Sequence, residues 1–309
     1  MIHLFSPAPA LDLEAVVRPP VSGKIGALGR WSFSPGGKAV NLARFLRAWK
    51  MNGRFTLGSG GGTDPSHVLY AALLRREGLR ASYVDPVAPI RLNLVTHQPE
   101  SSSKYNHSGF PLSAKSLATY ERETLARLKR GDTWVLAGRV PFGASLERVP
   151  AWVKRLERQG VRCVVDTSGL LLKALLKASP SFLKVNLHEI GEALGREIDS
   201  LEDLLAMLPS LQSRGLRHGA VTDGDRGALL WDGAEIALAL PPKVRASSRV
   251  VVGAGDAFLA GYLKAWRDHA SLTERARWAV ASGACVAKDG IDGFDPRLVA
   301  SLSRGVTFG

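Results

Sequence analysis

The stretch Val250-Val251-Val252-Gly253-Ala254-Gly255-Asp256-Ala257-Phe258-Leu259-Ala260-Gly261 decides how the chain is read. A β-branched run, which favours extended backbone, meets a turn of small residues. An amphipathic helical pattern with an acid in its first turn follows. Gly253, Ala254 and Gly255 leave backbone N–H groups bare at a helix N-terminus, where the dipole is positive and an anion is welcome. Asp256 beside such a site is suited to take a proton from an attacking hydroxyl. The same residues also fit an ordinary helix start with packing glycines and a capping carboxylate. The local pattern alone leaves both readings open.

Outward from this stretch, short apolar runs alternate with longer helical patterns. Residues 2–5, 55–57, 133–137, 162–166, 182–185 and 220–222 read as buried strands. Helical patterns lie between them. One opens at Asp64-Pro65 and stops at Gly78, one runs from Ser113 to just before Gly131, and one from Ser145 to Gln159, closed by Gly160. Leu170 to Ala178 and Leu201 to Gln212 follow. Repeated β-then-α order predicts an α/β fold: a doubly wound, mostly parallel sheet with helices on both faces. Residues 12–33 and 89–110 break the rhythm with strand-like pieces and no convincing helix. Arg91-Leu92-Asn93-Leu94-Val95 alternates as a half-exposed strand does. The expectation is a core of residues 1–11, 34–88 and 111–309, with 12–33 and 89–110 paired as a small β lid over the strand ends. Open α/β sheets bind their ligands at those ends.

A second motif is Ser34-Pro35-Gly36-Gly37-Lys38-Ala39-Val40-Asn41-Leu42-Ala43. Paired glycines let a ligand approach the backbone, and Asn41, one turn into the next helix, can meet a sugar hydroxyl. A tight turn before a helix explains the same residues. It is not a P-loop, because Ala39 follows Gly37-Lys38 where Ser or Thr would hold Mg²⁺. Gly58-Ser59-Gly60-Gly61-Gly62 imitates a dinucleotide fingerprint, but Thr63 falls in its last slot, and a loop fits better.

Composition bounds the classes. The chain has 309 residues, 45% hydrophobic and 22% charged, which is ordinary for a globular protein and unlike a disordered one. Cys163 and Cys285 are far apart, so neither a disulfide scaffold nor a thiolate zinc site is expected. A reducing, cytoplasmic compartment is the matching expectation. Met1 to Leu13 shows no basic segment before its apolar residues, so no signal peptide is read there, and no apolar run is long enough to span a bilayer. The net charge of +13 raises nucleic acid as a partner. The basic residues are interleaved with acids along helical segments, however, which reads as solvated helix faces.

Taken together, these motifs resemble the PfkB (ribokinase-like) family of carbohydrate kinases, in order and over nearly the whole chain. Gly253 to Asp256 looks like the C-terminal signature, and Gly36 to Ala43 like the N-terminal one. Pro9-Ala10-Leu11-Asp12 and Arg91-Leu92-Asn93 are similar to motifs of the phosphosugar branch. Val165 to Gly169, Lys184-Val185-Asn186, Val221 to Gly224 and Gly227-Ala228-Leu229 fall in the family's order.

The resemblance implies an ATP- and Mg²⁺-dependent kinase acting on a sugar phosphate. Asp256 would be the general base, and the N–H groups of Gly253, Ala254 and Gly255 the anion hole. Asp12, Gly36, Gly37, Asn41 and Asn93 would hold the sugar, while Lys24 and Arg91 would meet its phosphate; Arg139 would either add a phosphate contact or mark a different acceptor. Lys184, Asn186, Thr222, Gly224 and Gly227 would line the nucleotide, and Asn186 with Glu189 would serve the metal. Asn186 and Glu189 also have the spacing of a capping box. Gly37-Lys38 is closer to the members that phosphorylate fructose 1-phosphate than to the glycine-only minor 6-phosphofructokinases. Fructose 6-phosphate and tagatose 6-phosphate remain alternatives, as does a sugar-phosphate sensor without turnover. A homodimer formed through the lid is expected, because lid edge strands seek a partner. The chain departs from the pattern at Val250-Val251-Val252, where Thr is usual before the glycines, at Val185, at Asp223, and at Arg139, where the branch has Ser.

Overall fold

The computed structural model describes residues 1–18, 25–51, 53–57, 64–83, 89–98, 101–110, 114–139, 145–246 and 252–309. In chain order the elements are β1 (Ile2–Ser6), β2 (Ala10–Arg18), β3 (Ala27–Gly36), α1 (Lys38–Ala48), β4 (Gly53–Leu57), α2 (Pro65–Arg76), β5 (Ala81–Tyr83), β6 (Arg91–His97) and β7 (Ser102–Asn106). There follow α3 (Ala114–Arg127), β8 (Thr133–Ala137), α4 (Ser145–Arg158), β9 (Arg162–Asp166), α5 (Gly169–Leu175), β10 (Phe182–Asn186), α6 (Leu187–Leu194), α7 (Leu201–Ser213) and β11 (His218–Thr222). The chain ends with β12 (Ala228–Asp232), β13 (Glu235–Leu240), α8 (Ala254–Arg267), α9 (Leu272–Asp289), α10 (Pro296–Ser303) and β14 (Thr307–Phe308).

The main sheet has the order β14-β13-β12-β11-β10-β9-β8-β1-β4-β5. From β11 to β5 every pairing is parallel, while β12, β13 and β14 form an antiparallel edge. Side chains alternate between the two faces, and both faces are buried, so the strands read as unbroken apolar runs. In β8, Trp134 and Leu136 enter one core cluster, with α3 to α7. Val135 and Ala137 enter the other, with α1, α2 and α8 to α10. The doubly wound expectation holds.

The antiparallel edge escaped the sequence reading. Glu235–Leu240 is Ala- and Leu-rich, a composition that favours helix in isolation. It is a strand because a two-residue loop, led by Gly233 at φ 63, turns it back onto β12.

Local signals set the helix starts. Asp64 caps α2, with Pro65 in the first turn, Ser200 caps α7, and Ser271 caps α9. On exposed helix faces the cations find acids, such as Arg148 and Arg155 with Glu121 and Arg127 with Glu123. Among the described residues no helix is long and apolar enough to cross a membrane.

The two excursions form a second sheet, ordered β3-β2-β6-β7. Its strands begin at Ala10 and run on to Gly36, a little beyond the expected 12–33 on both sides. By register, Asp12, Ser34 and Asn93 share one face of this lid, and Leu13, Phe33, Leu94 and Tyr105 the other.

Candidate active site

In the main sheet β1 sits between β8 and β4, so the order reverses beside it. The crevice at such a switch point, beyond the carboxyl ends of the strands, is where α/β folds place ligands. Four segments end there: Ser6 to Asp12 after β1, Gly138-Arg139 after β8, Asp166 at the end of β9, and the Gly37 turn that starts α1.

Backbone geometry requires the glycines of the two signatures. Gly37 precedes α1 at φ 109, and Gly253 caps α8 at φ 84, both in the left-handed region that L side chains avoid. A Cβ on Gly36 would collide with the Asp12 carboxylate, and one on Gly255 would sit 2.7 Å from Lys184 Nζ. Hence the Gly36 backbone lies against Asp12, and the first turn of α8 lies against a lysine ammonium.

Asp256 is 6% exposed, and its Oδ2 accepts from Asn41 Nδ2 at 2.7 Å. Asn41 Oδ1 in turn accepts from Arg44 at 2.8 Å, and Arg44 is held by both carboxylate oxygens of Glu77 at 2.7 and 2.6 Å and by the Pro35 carbonyl. The Asn41 amide, expected from the sequence to hold a sugar, also orients the carboxylate, and its second N–H makes no hydrogen bond among the described residues. Burial pushes the Asp256 carboxyl up to about 6; Lys38 pulls it down and Asp166 pushes it further up. A carboxylate near 6 is still ionised at neutral pH and more basic than an exposed one. If it is the base, kcat/KM, which reports the free enzyme, falls about tenfold per pH unit below about 6. A pH–rate profile flat down to pH 5 would remove Asp256 from that role.

Sequence reasoning missed the centre of the charge arrangement. Asp166 is completely buried. Its Oδ1 takes a short hydrogen bond from Lys38 Nζ, and its Oδ2 accepts from Lys184 Nζ at 3.3 Å. Burial works against every charge in this triad. The two lysines nevertheless hold the Asp166 carboxyl below its ordinary value, and Asp166, Asp256 and Glu189 raise Lys38 above its own. Lys38 is therefore an ammonium fixed between Asp166 and the field of Asp256. Its place directly after Gly36-Gly37 and the Asp at the end of β9 were the available signals.

The lid contributes a second track. Asn93 Nδ2 donates to Asp12 Oδ1 at 2.7 Å, and Arg91 donates to Asn93 Oδ1 at 3.0 Å, to the Ala8 carbonyl and to the His107 carbonyl. Burial and the neighbouring charge of Arg139 both lower the Arg91 guanidinium, so two cations face the same region. Arg139 itself is exposed. The tracks meet at α1: Asp12 abuts Gly36, and one turn later Asn41 bonds Asp256.

On the far side, Asn186 and Glu189 form both bonds of the capping box, at 2.8 and 2.9 Å, which occupies Asn186 Oδ1 and Glu189 Oε2. Among the described residues no group of three or more His, Cys, Asp or Glu is placed to hold a metal. Thr222 Oγ1 bonds the Val185 carbonyl at 3.4 Å, and Gly224 has open space around it at φ 59. Gly227 lies at φ 109, and a Cβ there would sit 2.5 Å from the Ala239 carbonyl. Lys24, Val250, Val251 and the Gly58 to Gly62 run lie outside the described residues.

Compared with known families, residues 11–293 match the pfkB family carbohydrate kinases. The chain belongs to that family. It is 30% identical over 269 residues to 1-phosphofructokinase of Bacillus subtilis (strain 168), covering 85% of this chain and 86% of that protein. It is 28% identical over 288 residues to the ATP-dependent 6-phosphofructokinase isozyme 2 of Escherichia coli (strain K12), covering 91% of each. The crystal structure of phosphofructokinase-2 from Escherichia coli in complex with substrates and products superposes with a TM-score of 0.87 at 25% identity, covering 98% of both chains. This pfkB kinase is a phosphotransferase acting on a sugar hydroxyl, and sugar kinases of the family use ATP.

Proposed function

We propose that the chain is a 1-phosphofructokinase, converting fructose 1-phosphate and ATP to fructose 1,6-bisphosphate and ADP. The observation that carries the reading is the buried Asp256 carboxylate at the start of α8, oriented by Asn41 and joined through α1 to the Asp12–Asn93–Arg91 track. Asp256 takes the proton of the acceptor hydroxyl. The freed oxygen attacks the γ-phosphorus, the bond to the β,γ-bridging oxygen breaks, and its electron pair leaves with ADP. The N–H groups of Gly253, Ala254 and Gly255, with Lys38 and Lys184, take up the charge on the migrating phosphoryl. Such positioning and electrostatics are most of what phosphoryl transfer requires.

Arg91, with Arg139, answers the phosphate already on the sugar, for which guanidinium geometry is well matched. Asp12 and Asn93 receive the sugar hydroxyls. Mg²⁺, when bound with the nucleotide, would neutralise phosphate charge. The residues fit it as a phosphate-borne ion, since Glu189 keeps Oε1 outside the capping box and Mg²⁺ commonly takes only one or two protein carboxylates. Lys38 at the position that is glycine in the minor 6-phosphofructokinases favours fructose 1-phosphate as acceptor.

A coupled ADP-release screen over fructose 1-phosphate, fructose 6-phosphate, tagatose 6-phosphate and free ketoses tests this. The highest kcat/KM is expected with fructose 1-phosphate, and Arg91→Ala is expected to raise its KM at least tenfold. Preference for an unphosphorylated ketose would overturn the phosphosugar assignment.

The apolar lid face supports a homodimer. Trp31 and Tyr105 are 55% and 59% exposed there, and Trp31 meets Phe33 edge-on at 5.7 Å. Sedimentation at micromolar concentration is expected to give a dimer for the wild type and a monomer for Trp31→Glu. A monomeric wild type refutes the assembly.

A further inference from the structure

A cavity of about 490 Å³ lies at the opposite pole of the main sheet from Asp256. It opens where β10 and β11 begin, so it is remote from the switch-point crevice at the other strand ends. Ser179, Pro180 and Ser181 form one side, with Gly215, Arg217 and His218 facing them. Trp266 supplies an aromatic wall, with the buried Tyr262 behind it. These two residues belong to α8, the helix that carries Asp256, about 9 and 15 Å further along its axis at 1.5 Å per residue.

The aromatic wall is braced from behind. Tyr262 stacks on Phe182 with centroids 3.9 Å apart, and the Arg162 guanidinium lies 4.9 Å over the Trp266 ring. The Tyr262 hydroxyl lies in the field of the Arg275 guanidinium.

The two acids of the lining are already answered. Asp232 accepts from His218 Nδ1 and from Arg275, each at 2.5 Å. Glu157 accepts from the Cys163 and Ser181 amides at 2.9 and 2.6 Å and from Ser181 Oγ at 2.7 Å. Of the basic residues in the lining, His218 is paired with Asp232 through Nδ1, and Arg217 makes no side-chain hydrogen bond or ion pair among the described residues. Because Nδ1 of His218 faces Asp232, its Nε2 is the nitrogen left for a ligand. The cavity therefore combines an aromatic wall with uncommitted donors of positive character, at a volume typical of small-molecule sites.

We propose that this cavity is a second ligand site, taking a small metabolite whose phosphate or carboxylate meets Arg217 and His218 and whose body lies against Trp266. A charge-assisted contact to an arginine contributes on the order of tenfold in affinity or more.

Calorimetric titration tests it on the intact chain, with a non-hydrolysable ATP analogue saturating the nucleotide site. The probes are AMP, phosphoenolpyruvate and inorganic phosphate. One further molecule of AMP or phosphoenolpyruvate is expected per chain, bound at least tenfold more tightly than inorganic phosphate. Arg217→Glu is expected to weaken it at least tenfold, whereas Lys50→Glu, the same charge change in the distant turn after α1, leaves it unaltered. Arg217 is exposed, so its replacement spares folding. No binding by any probe, or equal loss in both variants, overturns the proposal. Inorganic phosphate binding as tightly as the organic anions overturns the role of the aromatic wall. Because the readout is binding at Arg217 and not phosphate transfer, a failed acceptor screen leaves this result standing.

Discussion

Asp256→Asn is expected to lower kcat by roughly 10²- to 10⁴-fold, the span of a positioned general base, while leaving the protein folded. The reason for the second half is electrostatic. The Asp256 carboxyl is raised to about 6 because burial penalises its charge. A carboxyl whose folded value exceeds its unfolded one binds its proton more tightly in the folded state. Its contribution to stability is therefore full at low pH and lost as pH rises through about 6. At pH 7.5 the wild type bears the cost of that buried charge, and an amide does not. Asn is nearly isosteric and can turn its oxygen toward Asn41 Nδ2. Steady-state kinetics with thermal melts at pH 7.5 checks both halves. The expected pair is a large loss of turnover with an unchanged or raised Tm. Retained activity would end the assignment of the base, and a collapsed Tm would show that Asp256 is a structural carboxylate.

Asp166→Ala is expected to be the most destabilising single change at the site. Asp166 is completely buried and is the shared partner of Lys38 and Lys184, whose side chains are 33% and 5% exposed. Removing it leaves two ammoniums without their direct hydrogen-bonded counterion, one of them buried, with only the fields of Asp256 and Glu189 still acting on Lys38. Breaking a buried pair in this way costs about 3–5 kcal/mol, a Tm drop of several degrees at least for a chain of this size. The double variant Asp166→Ala/Lys38→Met removes one of the stranded cations and is expected to recover part of that loss. Additive losses would show that the two residues do not interact. Turnover is not expected to recover with stability, because the proposed mechanism needs Lys38 beside the migrating phosphoryl.

Much of the fold was legible in the sequence. Buried parallel strands such as Thr133–Ala137 and Arg162–Asp166 were readable to the residue, since a strand covered on both faces is an unbroken apolar run. Asp64-Pro65 and Gly160 marked helix limits through local backbone chemistry. Glu235–Leu240 was not legible. Its pairing with β12 is made by tertiary hydrogen bonds that override its composition. At the site, a local pattern marked Asp256 and its glycines as candidates while leaving a plain helix start open, and the family resemblance chose between the two. Asp166 was passed over, because a lone acid at a strand end has no periodic or capping signature. Its role comes from two lysines, 128 and 18 residues away along the chain.

The sequence by itself determined the alternation of elements, the turns that only glycine can make, and the presence of an acid at the start of α8. These follow from backbone sterics and hydrophobic periodicity, which act over a few residues. Only the tertiary structure decided which charges face one another: Asn41 on Asp256 across 215 residues, and the lysines on Asp166. Coulomb energy and desolvation depend on distance and burial in space. They enter the account only once the sheet has brought its strand ends together.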